Sequence, residues 1–142
     1  MIKSFRGKIG DQEKHTIRLS TNNGLTGYKV KKFQLIGASP GNETIESVVK
    51  LYSTTDGAAD GAVNFDDPTL LGVAFYVSSI TEEWSTHKVV IFDHTVVNQD
   101  IHVTHFDVQV GSPVNYYLEL EQVKLDLNEA TVATLKDMRG RE

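Results

Sequence analysis

The fold is decided by one stretch of sequence, Val114-Asn115-Tyr116-Tyr117-Leu118-Glu119-Leu120-Glu121. Apolar side chains occupy every even position, and mostly polar side chains occupy the odd positions. Successive side chains of a β-strand point to opposite faces, so this segment has one apolar face and one polar face. The pattern is typical of an antiparallel sheet that buries one face and turns the other towards water or a neighbour.

The same alternation recurs along the chain between clusters of Gly, Asn, Asp and Pro. It predicts about eight strands, at Ile2–Ile9, Lys14–Ser20, Tyr28–Ile36, Glu46–Ser53, Leu71–Ser79, His87–Asp93, Asp100–Val110 and Val114–Leu125. A parallel sheet would require strands that alternate with helices, and the sequence does not show this alternation. We therefore predict a single all-β domain over residues 1–142, an antiparallel β-sandwich that is jelly-roll-like.

Apolar residues change from even to odd positions, or the reverse, within three of these strands. The change in the strand at 28–36 predicts a β-bulge near Lys31-Lys32. The strand at 100–110 changes near Thr104-His105, and the last strand changes after Leu120. Bulges of this kind bend long strands from one sheet towards another. We expect the core to contain Phe33, Leu35, Val73, Phe75, Phe92, Val103, Phe106, Tyr116, Leu118 and Leu120.

Only the C-terminal segment has helical character. Asp126 and Glu129 have the spacing of a capping box, which predicts a short helix over about 128–138. Thr131, Leu135 and Met138 recur at helical spacing and predict its apolar side. A helix this short is marginal alone, so it must pack on its own sandwich or on another subunit.

Composition excludes several classes of protein. The chain has 142 residues and no cysteine, so thiol catalysis and thiolate metal sites are excluded. A chain of this size can bury roughly 70% of the surface of its unfolded form without a disulfide or metal. No apolar run approaches the roughly 20 residues of a membrane-spanning helix, and the first residues resemble a strand and not a signal peptide. We expect a soluble protein made in the cytosol, with no membrane contact.

The net charge of −5 conceals an uneven distribution. Residues 1–50 contain nine Lys/Arg and four Asp/Glu, whereas residues 51–142 contain five and fifteen. Such polarity suits contacts between copies or with a charged partner. Alternatively, folding interleaves the two halves and the asymmetry disappears in space.

Two acidic residues form the strongest catalytic candidate. Glu119 and Glu121 lie on one strand face, roughly 7 Å apart by strand rise. Glycoside hydrolases use pairs of carboxylates, but sandwich hydrolases of the laminarinase type continue the acidic pattern where this chain has Gln122 and Val123. We therefore interpret the pair as a solvated sheet face and predict no enzymatic activity.

Candidate metal ligands are equally sparse. His102 and His105 are three residues apart, so a regular strand sends them to opposite faces unless a bulge intervenes. The acidic loop at 56–67 lacks the spacing of an EF-hand, although opportunistic Ca²⁺ binding stays open. Gly57–Gly61 lacks the lysine of a phosphate-binding P-loop. We predict no metal and no cofactor.

The aromatic residues suit either of two binding functions or a place in the core. The lysines of the strand at 28–36 stand beside Tyr28 and Phe33, as in some oligonucleotide-binding sheets. The negative total charge argues against nucleic acid. A carbohydrate-binding module would need an exposed aromatic platform, for which Trp84, Tyr76 and Tyr117 are the candidates.

Several segments resemble one family of proteins. Ile17–Gln34, Val89–Asp93, Asn98–Ile101, Asn115–Glu121 and Leu125–Thr131 are similar to segments of small virion-associated proteins of marine tailed bacteriophages. The resemblance runs along the whole length of the chain and carries no catalytic, cofactor-binding or metal-binding residue.

The resemblance implies a structural role in the virion. It favours a capsid decoration (cement) protein that binds the major capsid protein on the capsid surface. A homo-oligomer, with a trimer favoured, is the form such proteins often take. The alternatives are a tail or head-to-tail component of the virion and a carbohydrate-binding β-sandwich module.

Overall fold

The described residues form eight strands and one helix, close to the predicted positions. The computed structural model describes residues 1–21, 23–39, 44–79, 85–109 and 111–139, with side chains at all of these except 85 and 137–139. The elements are β1 (Ile2–Ile9), β2 (Lys14–Ile17), β3 (Thr26–Gly37), β4 (Ile45–Tyr52), β5 (Leu70–Ser78), β6 (Ser85–Ile91), β7 (Ile101–Asp107), β8 (Val114–Lys124) and α1 (Leu127–Arg139).

The strands form two antiparallel sheets that face each other. The three-stranded sheet has the order β1-β8-β3, and the five-stranded sheet has the order β2-β7-β4-β5-β6. A chain that folds as one long hairpin pairs its first strand with its eighth, second with seventh, third with sixth and fourth with fifth. Rolling that hairpin up gives a jelly roll. Three of the four pairings are present, and they confirm the predicted jelly-roll-like sandwich.

The fourth pairing is replaced by a single side chain. β6 pairs with β5 along its whole length, and in the described part of the chain it shares no ladder with β3. Instead, the backbone N–H of Leu35 in β3 donates to Nε2 of His87 in β6, at 3.1 Å. This bond joins the two sheets at one edge of the sandwich. Because Nε2 accepts a hydrogen bond, it does not carry a proton, and burial lowers the pKa of His87.

The core lies between the inner faces of the two sheets. The three-stranded sheet contributes the apolar even positions of β8, and Leu118 and Leu120 are fully buried. The five-stranded sheet contributes Val49, Leu51 and Val103, which are also fully buried. Six of the ten expected core residues are buried between the sheets: Phe33, Leu35, Val103, Tyr116, Leu118 and Leu120. Val73 is also buried, but on the outer face of the five-stranded sheet.

Phe75, Phe92 and Phe106 are only half-buried, and their assignment to the central core was wrong. Phe75 and Phe106 lie on the outer face of the five-stranded sheet, because their neighbours Ala74 and His105 point inwards. The loop between β4 and β5 crosses this outer face and covers part of it. An apolar position in the alternating pattern indicates burial but not which face is buried. Here both faces of the five-stranded sheet are covered, so the pattern could not place these residues.

One predicted bulge is confirmed. The pairing of β3 with β8 shifts between Val30 and Lys32, which leaves Lys31 as the extra residue. Tyr28 and Val30 on one side of the bulge, and Phe33 on the other, therefore face the same core. A bulge that the alternation did not predict lies in β5, where Tyr52 pairs with Leu70 and its neighbour Leu51 pairs with Gly72.

The other two predicted breaks are wrong. β7 pairs in regular register with β2 and β4 through Thr104 and His105. β8 likewise keeps its register with β1, and beyond Leu120 with β3. Val123 and Leu125 are apolar because they lie on the outer side of the sheet end and pack against helix α1.

Helix α1 packs on its own sandwich. The side chain of Asp126 accepts a hydrogen bond from the backbone N–H of Glu129, at 2.8 Å, as the capping box predicts. The helix contacts Leu125 through Ala130 and Ala133, and not through the residues expected to pack. Thr131 and Leu135 are exposed, and the side chain of Met138 lies outside the described residues. The amide of Asn98 fixes the helix by donating to Ala130 O and Thr134 Oγ1.

Truncating the centre of β8 tests the assignment of the inner face. Leu118→Ala should lower the free energy of unfolding by about 2–5 kcal/mol, because the cavity forms in a fully buried site. Urea denaturation measures the change. Leu127→Ala is the matched control, since this leucine is 74% exposed and its truncation should change stability by less than about 0.5 kcal/mol. Equal effects of the two substitutions would contradict the face assignment.

The bond between His87 and Leu35 should make stability depend on pH. The folded protein holds the pKa of His87 below its ordinary value, so the unfolded chain binds the proton more readily. The contribution of this bond to the free energy of unfolding is therefore fully present above about pH 6.5. It is lost as the pH falls towards the pKa of His87 in the folded protein. His87→Gln keeps an acceptor for Leu35 and cannot titrate. We expect this variant to lose less stability than the wild type between pH 8 and pH 5, measured by urea denaturation.

The matched control is His94→Gln, because His94 is fully exposed. This variant should keep the pH dependence of the wild type. Unchanged pH dependence in His87→Gln would show that the bond between the sheets does not respond to protonation of His87.

Candidate binding surfaces

The outward side chains of the three-stranded sheet form a basic face. Five cations from its two edge strands surround the carboxylates of Glu119 and Glu121 on the central strand β8. These cations are Arg6, Lys8, Lys29, Lys31 and Lys32. The strands β1 and β3 both come from the basic first third of the chain, so the sheet order concentrates their charge on one face.

Both carboxylates of the basic face are engaged by neighbouring side chains. Lys31 in the bulge of β3 pairs with Glu121, with 3.3 Å between Nζ and Oε2. The hydroxyl of Tyr117 donates to Glu119 at 3.1 Å, and this hydrogen bond raises the pKa of Tyr117. Charge pairs and hydrogen bonds of this kind stabilise neighbouring positions of a sheet. Glu119 and Glu121 are therefore both held by side chains of the same sheet face.

A groove of about 780 Å³ crosses one end of the basic face. We call it the polar groove, and its outward-facing lining residues are Arg6, Lys8, Gln34, Ile36, Asn115 and Tyr117. They form two rows across the sheet. Arg6 and Gln34 flank Tyr117 in one row, and Lys8 and Ile36 flank Asn115 in the other. The groove also reaches His87 at the edge of β3.

A second groove, of about 320 Å³, lies on the opposite side of the sandwich. We call it the apolar groove, because the outer face of the five-stranded sheet lines it mainly with aliphatic and aromatic side chains. Val63, Val90 and Val108 are 45%, 42% and 50% exposed there, whereas Val48 and Val73 are buried. Exposed apolar groups collected in one concave area are typical of a surface that contacts another protein.

The acidic loop lies beside the apolar groove and is held by a buried lysine. Lys50 on β4 points outwards and is 1% exposed, and its ammonium lies 2.8 Å from Asp60 Oδ1 and 2.6 Å from Ala62 O. The hydrogen bond from Lys50 holds the pKa of Asp60 below its ordinary value. Asp67 closes the next turn by accepting from Thr69. The loop therefore uses two of its carboxylates to fix its own path.

The placement of charge answers the question that the composition left open. The acidic loop and the basic face lie on opposite sides of the sandwich, so these two concentrations of charge stay apart, although the two halves of the chain pair at Lys31–Glu121 and Lys50–Asp60. Among the described residues, no group of three His, Asp or Glu side chains is arranged to hold a metal ion. Binding of Ca²⁺ by the loop therefore gains no support from the geometry.

The two candidate histidine ligands lie on opposite faces of the five-stranded sheet. His102 points outwards, where Nδ1 lies 3.1 Å from Thr16 Oγ1. His105 points inwards and is fully buried, with Nδ1 donating to the Gly10 carbonyl and Nε2 bonded to the Ser47 hydroxyl. Strand alternation separates the pair as predicted, and the bulge that could have joined them is absent from β7.

The aromatic candidates separate in the same way. Tyr28 and Phe33 are buried in the core, so neither can stack on a base. Tyr76 packs against the core beside His87, whereas Tyr117 lies on the basic face. The two tyrosines therefore cannot form one platform. Trp84, the third candidate for a carbohydrate platform, lies outside the described residues.

Sequence reasoning missed the polar groove and the contact between Lys50 and Asp60. The outward positions of Arg6 and Lys8 follow from the alternation of β1, and that of Gln34 follows once the bulge at Lys31 is placed. What brings them together is the position of β8 between β1 and β3, which no local pattern shows.

No family model matches the sequence, and no curated protein matches it either. The resemblance to phage virion proteins therefore stays a prediction. Among the described residues, no helix is both long enough and apolar enough to cross a bilayer.

Because Lys50 is buried and Asp60 is partly exposed, we expect removal of one partner of this ion pair to cost more stability than removal of the other. Asp60→Ala leaves a buried ammonium with one carbonyl partner, and should lower the free energy of unfolding by about 2–3 kcal/mol. The expected loss is smaller than that for breaking a fully buried ion pair, because the Asp60 side chain is 53% exposed. Lys50→Met leaves a carboxylate that water can reach, so we expect a smaller loss of about 1 kcal/mol. Urea denaturation compares the two.

Asp66→Ala is the control for the ion pair, since it removes an exposed carboxylate of the same loop. Its stability should stay within about 0.5 kcal/mol of the wild type. A larger loss for Lys50→Met than for Asp60→Ala would contradict the proposed cost of the unpaired lysine.

Proposed function

We propose that this chain is a structural protein of a phage virion, and specifically a capsid decoration protein. It binds the lattice of the major capsid protein without catalysing a reaction, and it acts at the capsid surface as a homo-oligomer, with a trimer favoured. The virion assignment is supported by the resemblance of five sequence segments, including Ile17–Gln34 and Asn115–Glu121. The surface of the folded chain supports binding to another protein.

The observation that carries the binding role is the apolar groove. Val63, Val90 and Val108 leave apolar area in water, and Glu46 and Lys88 stand at the margin of the groove. An apolar centre with a charged margin is the usual composition of a protein interface. The apolar lining suits a ridge of another protein better than an ionic ligand. We therefore assign this groove to the contact with the major capsid protein.

Helix α1 supports self-association. It docks on the sandwich through Ala130 and Ala133, which leaves Val132 and Leu135 exposed on the other side. A short helix gains stability from any apolar partner. A second copy of the chain, packed against Val132 and Leu135, would bury this side and would leave the apolar groove free for the capsid.

The strand order adds an analogy at the level of the fold. Jelly rolls recur among viral capsid proteins and lectins, and a fold by itself does not determine a function. A tail or head-to-tail component could use the same apolar surfaces, so the location in the virion has to be tested directly.

Co-sedimentation with expanded phage capsids that lack this protein tests the assignment. The wild type should bind at a fixed copy number per capsid. Val90→Asp should abolish binding, because the contact would have to desolvate a carboxylate in the apolar groove. Light scattering should show that Val90→Asp stays oligomeric.

The reciprocal control is the double variant Val132→Asp/Leu135→Asp. It should become monomeric and should bind capsids more weakly, because it loses multivalent attachment while its groove is intact. A wild type that binds isolated tails and not capsids would replace the decoration role with a tail role. A wild type that is monomeric at all concentrations would remove the proposed oligomer.

A further inference from the structure

The polar groove combines cationic and carboxamide side chains in one concave surface. Its outward-facing lining includes two cations, two carboxamides and one phenol, and no described lining residue is acidic. The guanidinium of Arg6, the ammonium of Lys8 and the carboxamide of Gln34 make no hydrogen bond or ion pair with any described residue. Lys31 on the same face is committed to Glu121. The groove thus presents uncommitted donors at a positive site.

The floor of the groove decides what kind of ligand it can recognise. The central strand β8 pairs on both sides, so its backbone groups are used in the ladders with β1 and β3, and recognition at the centre of the groove floor falls on side chains. A carboxamide can both donate a hydrogen bond to a hydroxyl group and accept one from it. The ring of Tyr117 offers an apolar surface between Arg6 and Gln34. The volume of about 780 Å³ lies within the usual range for small ligands.

We propose that the polar groove binds an acidic oligosaccharide. Arg6 and Lys8 bind its carboxylate or sulfate groups, and a sugar ring packs on Tyr117. Gln34 binds its hydroxyls together with Asn115, whose carboxamide also donates to the Gly37 carbonyl at 3.4 Å. An acidic peptide fits less well, because Ile36 is the one exposed aliphatic anchor among the described lining residues. A nucleic acid fits less well because, among the described lining residues, only the half-buried Tyr117 offers a phenol ring for stacking.

The proposal does not depend on the decoration role. The polar groove and the apolar groove lie on opposite sides of the sandwich, so a protein attached through the apolar groove would keep the polar groove open. Loss of capsid binding in Val90→Asp and loss of sugar binding in groove variants are separate outcomes. Either proposal can therefore fail without the other.

Isothermal titration calorimetry of the full chain tests the site with four probes. These are an oligogalacturonate, a dextran sulfate, neutral dextran and poly-L-glutamate. We expect binding of the oligogalacturonate, the dextran sulfate or both, and the comparison shows whether carboxylate or sulfate is preferred. Arg6→Gln/Lys8→Gln should weaken the binding by about tenfold or more, since charge-assisted hydrogen bonds are lost.

Lys29→Gln/Lys32→Gln is the matched control. It removes the same charge from the same sheet face outside the groove, and its affinity should stay close to that of the wild type. Gln34→Ala keeps the charge of the groove and alters only an exposed side chain. We expect it to bind the acidic sugar more weakly, which would support the site even if the double variant folded poorly. Equal binding of poly-L-glutamate, equal loss in the control, or no binding of either acidic sugar would overturn the proposal.

Discussion

The rest of the structure depends on the insertion of β8 between β1 and β3. This contact joins the two ends of the chain, and closing so long a loop costs conformational entropy. The cost is offset where the even positions of β8 meet the five-stranded sheet, because Leu118 and Leu120 lose all contact with water there. β8 is also the strand that brings β1 and β3 side by side. The same ladder therefore creates the core on one face and the basic face on the other.

The positions of strands could be predicted because one-sided burial leaves a local pattern. The bulge at Lys31 could be predicted for the same reason, since β3 pairs with a strand whose buried positions do not change. The change at Thr104-His105 has another origin. β7 is covered on both faces, so Phe106 is half-buried on the outside while the buried inward position belongs to the polar His105. Alternation alone cannot separate a bulge from a strand with two covered faces.

The candidate surfaces could be predicted only in part. Alternation places Arg6, Tyr117 and Gln34 on outward positions, but their meeting depends on strand order, which is set by contacts distant in sequence. The same limit applied to charge. The outward lysines and arginine of β1 and β3 gather on one side of the sandwich and the acidic loop lies on the other, whereas Lys50 of the same basic segment reaches Asp60 in that loop. The ion pair between the buried Lys50 and Asp60 of the loop could not be predicted either, because no local sequence pattern indicates it.

The departure from a complete jelly roll links the fold to the polar groove. A fully rolled hairpin would pair β3 with β6 and extend the three-stranded sheet by one strand. Here β6 stays with β5, and His87 alone satisfies the backbone N–H of Leu35. The seam between the sheets is therefore closed by a side chain and not by a ladder, and the polar groove reaches this seam. A fourth strand beside β3 would occupy that end of the groove, so the missing pairing leaves the space that a ligand needs.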